Sequence, residues 1–357
     1  MSKRFLMSVL LLMVMSVAVL SGCNSTKPPK EALSSAAVQA LKMDSYVLKN
    51  QVKILDFSVD AASAEDPQVS SMLSMLKNAE INIQQTYQKD PMQTEAKFEI
   101  KLAGDVATTI TIPFVMTKEK IYVKIPSVPF LPMPENVVGK FLVLDLKELA
   151  EKNGQEFSAD LFDTQKTQKL SAELTAAIFG AYDTEKYFKN IEPKDASLPE
   201  GYKAKQVVQF YITNDTVKDA ATIFVNKVMP DLLDIIGKEE YRSMLQVKPE
   251  DIADMKKELK EGNQDELGKA LDDMKKNLKI NQFTANTAID EKNYPSYQDI
   301  NANVEVNDSE TNSKVKLSMQ VKSQFSKINE KQTFEIGIPK DTITLEDLEK
   351  EMGSYGY

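Results

Sequence analysis

The side chain with the most distinctive chemistry in this sequence is Cys23, the only cysteine in the chain. It follows Leu20, Ser21 and Gly22, so its thiol stands behind two small residues at the end of an apolar run. With no second thiol, no intrachain disulfide can form and stability must come from the core. Histidine and tryptophan are absent as well. Without imidazole the usual general base is missing, and with it Ser-His-Asp and Cys-His nucleophilic sites. Zinc, copper and non-haem iron sites, which need imidazole or thiolate, are removed too. Carboxylate pairs, lysine chemistry and oxygen-ligand calcium sites survive the exclusion. The acidic loops at residues 60–66 and 307–310 lack the alternating acids, glycine and trailing glutamate of a calcium loop. Glu239-Glu240 and Asp272-Asp273 are adjacent in helical sequence, so each pair diverges instead of converging as acid and base. We therefore expect no catalytic residue, no metal site and no cofactor, and a protein that is not an enzyme.

The residues around Cys23 give that thiol a role. Lys3 and Arg4 precede a run, residues 5–20, that is apolar apart from Ser8 and Ser16. These are the charged and apolar regions of a secretory signal, but the end is not the usual A-x-A-like site. Leu20-Ser21-Gly22-Cys23 instead resembles, at all four positions, the lipobox of bacterial lipoproteins. The resemblance implies a signal peptide over residues 1–22, cleavage ahead of Cys23 and a diacylglycerol thioether carrying acyl chains such as palmitate. Each buried methylene contributes about 0.8 kcal/mol, and two chains hold stably where one holds reversibly. Asn24 to Lys30 is polar with two prolines, the composition of a flexible tether over residues 23–30. The expected location is the extracytoplasmic face of a cell membrane, with the membrane itself as partner through acylated Cys23. The net charge of −9 becomes −11 once Lys3 and Arg4 are removed (−9 − 2), with no basic cluster. Such a body is a poor nucleic-acid binder, because that binding rests on neutralising phosphates.

Elements that would position a site follow from periodicity. Residues 31–43 carry Leu33, Ala36, Ala37, Ala40 and Leu41 on one helical stripe. Strands then dominate: 46–59 alternates loosely, 70–77 inserts a Met/Leu segment, and 81–87 and 98–102 flank the turn Lys89-Asp90-Pro91. Strands at 108–116 and 121–125 follow, and turns this short make neighbours antiparallel. Pro126, Pro129, Pro132 and Pro134 forbid helix and central strand. Phe130 and Leu131 make this loop apolar, either as a crossover on the body or as the lip of a ligand mouth. A strand at 141–144 leads into helical sequence from Leu146, with Leu170, Leu174, Ile178 and Ala181 marking a helix over 170–188. After a strand at 206–212, Asn214 or Asp215 is placed to cap a helix starting near Thr216. That helix is apolar on more than one face, through Ile223, Phe224, Val228, Leu232 and Ile236 among others, and Pro230 predicts a kink. It reads as a core helix or as one wall of a hydrophobic cavity. Residues 249–277 have a thin apolar stripe and dense alternating charge, divided by Gly262-Asn263, as a charged helical insertion on the surface would. Strands return at 283–289, 300–306, 315–321 and 334–339, and Leu345, Leu348 and Met352 mark a final helix.

Strands, then helices, then strands imply an α+β fold: an antiparallel sheet packed on central helices, with residues 31–357 as one domain. A lipobox, a polar tether, an N-terminal helix leading into a strand at Ser45-Tyr46, and antiparallel meanders with central helices resemble the LolA/LppX-like lipoprotein carriers. That resemblance implies a strongly curved, half-barrel-like sheet around helices, with a hydrophobic cavity between them that holds acyl chains. On it, the expected function is non-catalytic binding of a lipid or other amphiphile. Ile223, Phe224, Val228, Leu232 and Ile236 would line the cavity, with Phe130 and Leu131 at its mouth. The alternative is a cell-envelope interaction or assembly lipoprotein without a small-molecule ligand, contacting envelope proteins through the 249–277 helices or an exposed strand edge.

Overall fold

A computed structural model describes residues 26–60, 67–102, 107–128, 133–152, 163–261, 276–308 and 313–353. The first helix, α1 (Pro29–Ala40), opens on a proline whose fixed φ suits a first turn. It leads into β1 (Ser45–Asp60), helix α2 (Pro67–Leu76), and the antiparallel run β2 (Glu80–Lys89), β3 (Met92–Leu102), β4 (Thr108–Thr117), β5 (Lys120–Lys124) and β6 (Phe141–Asp145). Helices α3 (Leu146–Lys152), α4 (Thr164–Ala181) and α5 (Thr184–Tyr187) follow, then β7 (Phe188–Ile191) and β8 (Gln206–Tyr211). Next come α6 (Val217–Ile223), a π turn over Phe224–Val228, α7 (Met229–Ile236), α8 (Glu239–Leu245) and α9 (Pro249–Glu261). The chain closes with β9 (Leu278–Ile289), β10 (Tyr297–Asp308), β11 (Ser313–Ser326), β12 (Thr342–Thr344) and α10 (Leu345–Gly353).

Among the described residues the strands form one open, curved sheet in the order β12-β6-β5-β4-β3-β2-β1-β11-β10-β9-β8-β7, antiparallel except for β12 beside β6. The expected α+β, half-barrel-like architecture is thus present. β1 joins the halves, with β2 on one side and β11 on the other. A bulge at Leu55 explains the loose alternation of this strand. Before it, Leu48, Val52 and Ile54 pair with Phe325, Val321 and Met319; after it, Phe57 and Val59 pair with Leu317 and Val315. The inward positions therefore switch from even to odd numbers, and Leu55 is left 49% exposed.

The inner face carries the helices. Ala32 and Ala36 of α1 are 2% and 1% exposed, small enough to lay that helix close on the β7–β9 end. There Phe210 gathers Phe179, Tyr182, Tyr187 and Phe188 with ring centroids 5.2–6.2 Å away. Asp163 caps α4 by accepting from the N–H groups of Gln165 and Lys166, so this helix starts before residue 170 and ends at Ala181. Residue 188, expected to be helical, opens the short strand β7.

Two further differences have plain causes. Asn214 does not cap α6. Its amide instead grips β9, donating to Ile280 O at 2.9 Å and accepting from Ile280 N at 2.7 Å. Residues 334–339 are not a strand, although their side chains alternate. The N–H groups of Glu335, Ile336 and Gly337 all donate to the carboxylate of Glu95 on the outer face of β3, at 2.8, 3.0 and 2.6 Å. Gly337 has φ +66°, a left-handed conformation that turns the third N–H onto the same carboxylate. The predicted distortion at Pro230 takes the form of the π turn. Proline has no N–H to give Asn226, and the turn ahead of it widens so that Met229 N donates to Phe224 O.

Candidate functional site

A cavity of about 560 Å³ lies between the inner face of the sheet and helices α1 and α4. The sheet supplies Leu48, Ala96, Phe98, Phe114, Met116 and Phe325, with polar Gln85, Thr94, Thr287 and Gln298 among them. Helix α1 and the turn after it add Leu33, Ala37, Ala40, Leu41 and Met43. Helix α4 presents Thr164, Thr167, Gln168, Ser171 and Thr175, with Ala172 and Phe179. The spacing i, i+3, i+4, i+7, i+11 puts those polar residues on one helical face. Among the described residues, no Asp, Glu, Lys or Arg lines the cavity.

The two helices run antiparallel and are pinned at both ends. Lys30, near the start of α1, donates to Gly180 O at 2.9 Å and Tyr182 O at 2.7 Å, setting a cation on the carbonyl end of α4. At the opposite end Tyr46 is hydrogen-bonded to Gln168 and Tyr87 to Thr164. The two phenol rings lie 5.2 Å apart, and Phe325 meets Tyr46 edge-on at 5.2 Å. Burial pushes both phenols up, that of Tyr87 to about 12, so they stay protonated across the physiological range. Thr94, between Tyr87 and Met116 on the ladder, lines this end, is 3% exposed, and its hydroxyl has no hydrogen-bond partner within the protein.

The residues expected to form the wall lie elsewhere. Val228 is fully buried, and Ile223 and Leu232 pack on the same cluster, with Phe210 and Ala220. Phe224 is 39% exposed and Ile236 half-buried. None of these five lines the cavity. The π turn and α7 pack along α4 and reach the β7–β9 cluster, so apolarity on two faces reflects two packing partners. Phe130 and Leu131 lie outside the described residues; the flanks of their loop, Ile125, Met133 and Val137, pack with Leu142, Ile343 and Leu348 at the β6–β12 edge. Leu20, Ser21, Gly22 and Cys23 also lie outside the described residues. Within the expected tether, Lys27 N donates to the Gln206 side chain and Lys27 O accepts from it, and α1 already starts at Pro29. The lining of this cavity had a signal in the sequence: the α1 stripe was readable, and the hydroxyl row of α4 lies beside its apolar stripe. Of the 249–277 insertion, the described part is α9, whose Ile252 is buried and whose Met255 is exposed.

No described helix is long and apolar enough to cross a membrane. A family described as a family of unknown function (DUF6612) is matched by residues 237–344, less than half of the chain. No curated protein matches the sequence. Among solved structures the chain is similar to the crystal structure of LprF from Mycobacterium bovis, with 8% identity and a TM-score of 0.29 over 85% of this chain and 94% of that one.

Proposed function

We propose that this protein holds a lipid or other amphiphile in the cavity between its sheet and helices α1 and α4, without catalysing a reaction on it. The observation that carries the proposal is the cavity itself: about 560 Å³, with Leu48, Phe98, Phe114, Met116 and Phe325 on its sheet wall, within the size range of small-molecule sites. A space of this size takes an acyl chain with its first polar atoms. Each methylene buried there gains about 0.8 kcal/mol before the cost of association. The proposal includes anchoring through acylated Cys23 at the extracytoplasmic face, which would hold the cavity within a few residues of a bilayer.

Filling the cavity from its wall tests this. Ala96→Phe on β3 and Ala172→Leu on α4 add volume where the side chains face the void. Native mass spectrometry of the chain from residue 24 should detect bound lipid that both substitutions remove, while far-ultraviolet circular dichroism is unchanged. Wild-type protein carrying no ligand, and taking up none from vesicles, would refute the proposal.

A further inference from the structure

The anchor proposed at Cys23 limits how far the body can stand from a bilayer, and the chain just after it makes that distance short. Lys27 N donates to Gln206 Oε1 at 3.2 Å, and Gln206 Nε2 donates back to Lys27 O at 2.8 Å. Gln206 is itself buried and also donates to Asn190 of β7 at 2.8 Å. The residues that follow leave no slack. Pro28 O accepts from Ala32 N at 2.9 Å as α1 begins, and Lys30 is fixed on the end of α4. From Lys27 onward the chain belongs to the body.

Four residue steps separate Cys23 from Lys27, a span of at most about 14 Å whatever their conformation. A chain of this length has a radius of gyration of about 20 Å, which for a sphere means a radius of about 26 Å. A point on such a sphere stays within about 14 Å of a plane the sphere touches only when the contact lies within about 60° of that point. The far side of the molecule therefore cannot turn to the membrane.

The surface around the clamp is the sheet edge formed by β7, with the loop into β8 and the first turn of α1. Glu192 lies one step beyond the Ile191–Val207 pair, opposite Gln206. The charge of this edge differs from that of the whole molecule. Residues 27–31 and 189–205 contain Lys27, Lys30, Lys189, Lys194, Lys203 and Lys205 against four carboxylates, a net charge of +2 (6 − 4), in a chain of net charge −9. Anionic headgroups repel an acidic surface and attract one with an excess of lysine.

We infer that this edge, β7 with the loop into β8 and the first turn of α1, is the face the protein lays against an anionic lipid headgroup layer, and that the Lys27–Gln206 clamp holds it there. This placement requires acylation of Cys23 and is independent of what the cavity holds.

Fluorescence quenching on the full acylated chain in phosphatidylcholine–phosphatidylglycerol vesicles tests it. With Cys23 alkylated, an introduced cysteine is the one free thiol and carries a bimane label. Glu192→Cys puts the label on the proposed face, at an exposed side chain that caps nothing. Glu349→Cys puts it on α10, beside β12 at the other edge of the sheet. A nitroxide on the lipid headgroup should quench the first label at least about three-fold more than the second, given the angular limit on contact. Inserting ten Gly and Ser residues after Ser25 gives a tether with a root-mean-square reach of about 20 Å and should lower quenching at position 192 at least about two-fold. Equal quenching of the two labels would overturn the inference, and undiminished quenching at position 192 in the lengthened chain would overturn the role of the clamp. Protein that fails to float with the vesicles would overturn anchoring through Cys23 itself, with lipid in the cavity read separately by native mass spectrometry.

Discussion

Glu95 is a carboxylate buried on the outer face of β3, and its only visible purpose is mechanical. It accepts the N–H groups of Glu335, Ile336 and Gly337, and so holds the crossing between β11 and β12 against the sheet. Hydrogen bonds to a charged group contribute about 1.5–3 kcal/mol each, but three bonds to one carboxylate do not add. Residues 335 and 336 are exposed, so their amides regain water when released. Removing the charge also relieves the desolvation of a buried carboxylate. The net expectation is about 3 kcal/mol for Glu95→Ala. For Glu95→Gln it is about 2 kcal/mol, because one amide oxygen remains to accept while the NH2 group faces donors. Urea unfolding should give these values as a lower midpoint with little change in slope. Hydrogen exchange should locate the effect: amides 335–337 lose protection in Glu95→Gln, while the β1–β11 ladder keeps its own. A cost below about 0.5 kcal/mol together with unchanged protection at 335–337 would refute the assignment of Glu95 as the clasp.

Two more outcomes follow from ion pairs. Glu80 bonds to Asn82, the largest contribution, and lies between Lys53 and Lys101, which brings its carboxyl from 4.5 down to about 2. A depressed folded value means its stabilisation is complete above pH 4.5 and is lost as pH falls toward 2. Glu80→Gln should therefore flatten the acid limb of a stability–pH profile by about 1–2 kcal/mol, allowing for solvent screening at the partly exposed lysines, and an unchanged limb would exclude this pair as its source. Tyr241 is buried between Lys169 and Lys238 and donates to Glu173 at 2.8 Å. Tyr241→Phe should cost about 1–2 kcal/mol and Tyr241→Ala about 3–5 kcal/mol in urea unfolding, and equal costs would mean the hydroxyl, not the ring, holds α8 to α4.

Much of the fold was legible because antiparallel strands with one covered face write a period of two into the sequence. β11 shows this best, with Val315, Leu317, Met319 and Val321 all on one side. β1 was readable as a strand but not as a register, since one extra residue at Leu55 moves every later side chain to the other face. Residues 334–339 carry the same alternation without the ladder, because their N–H groups go to a side chain 240 positions away. Nothing in the Glu95-Ala96-Lys97-Phe98-Glu99 pattern distinguishes the buried glutamate from the surface one. The site was the least legible part. A hydrophobic pattern reports which residues leave water, not whether they meet another side chain or a void. Hence the apolar helix ending at Ile236 packs on the β7–β9 cluster, while the cavity is lined by α1 and the hydroxyl face of α4.

Why the void persists is the remaining question, because sheet and helix would ordinarily close on each other. A space of about 560 Å³ leaves the side chains that face it without partner atoms on one side, so those dispersion contacts are forgone until something fills it. Collapse is opposed by a frame around α4. Lys30 holds its C-terminal end, the Tyr46–Gln168 and Tyr87–Thr164 bonds hold its N-terminal end, and Lys169–Glu240 and Lys238–Glu173 brace it from α8. Moving the helix onto the sheet would break these contacts, the exposed ion pairs at about 0–1 kcal/mol each. Water is a poor filler against Phe98, Phe114 and Phe325, which offer it no partner. On the function proposed above, the apolar part of a bound amphiphile would lie against these rings, and its polar atoms would face the hydroxyl row of α4.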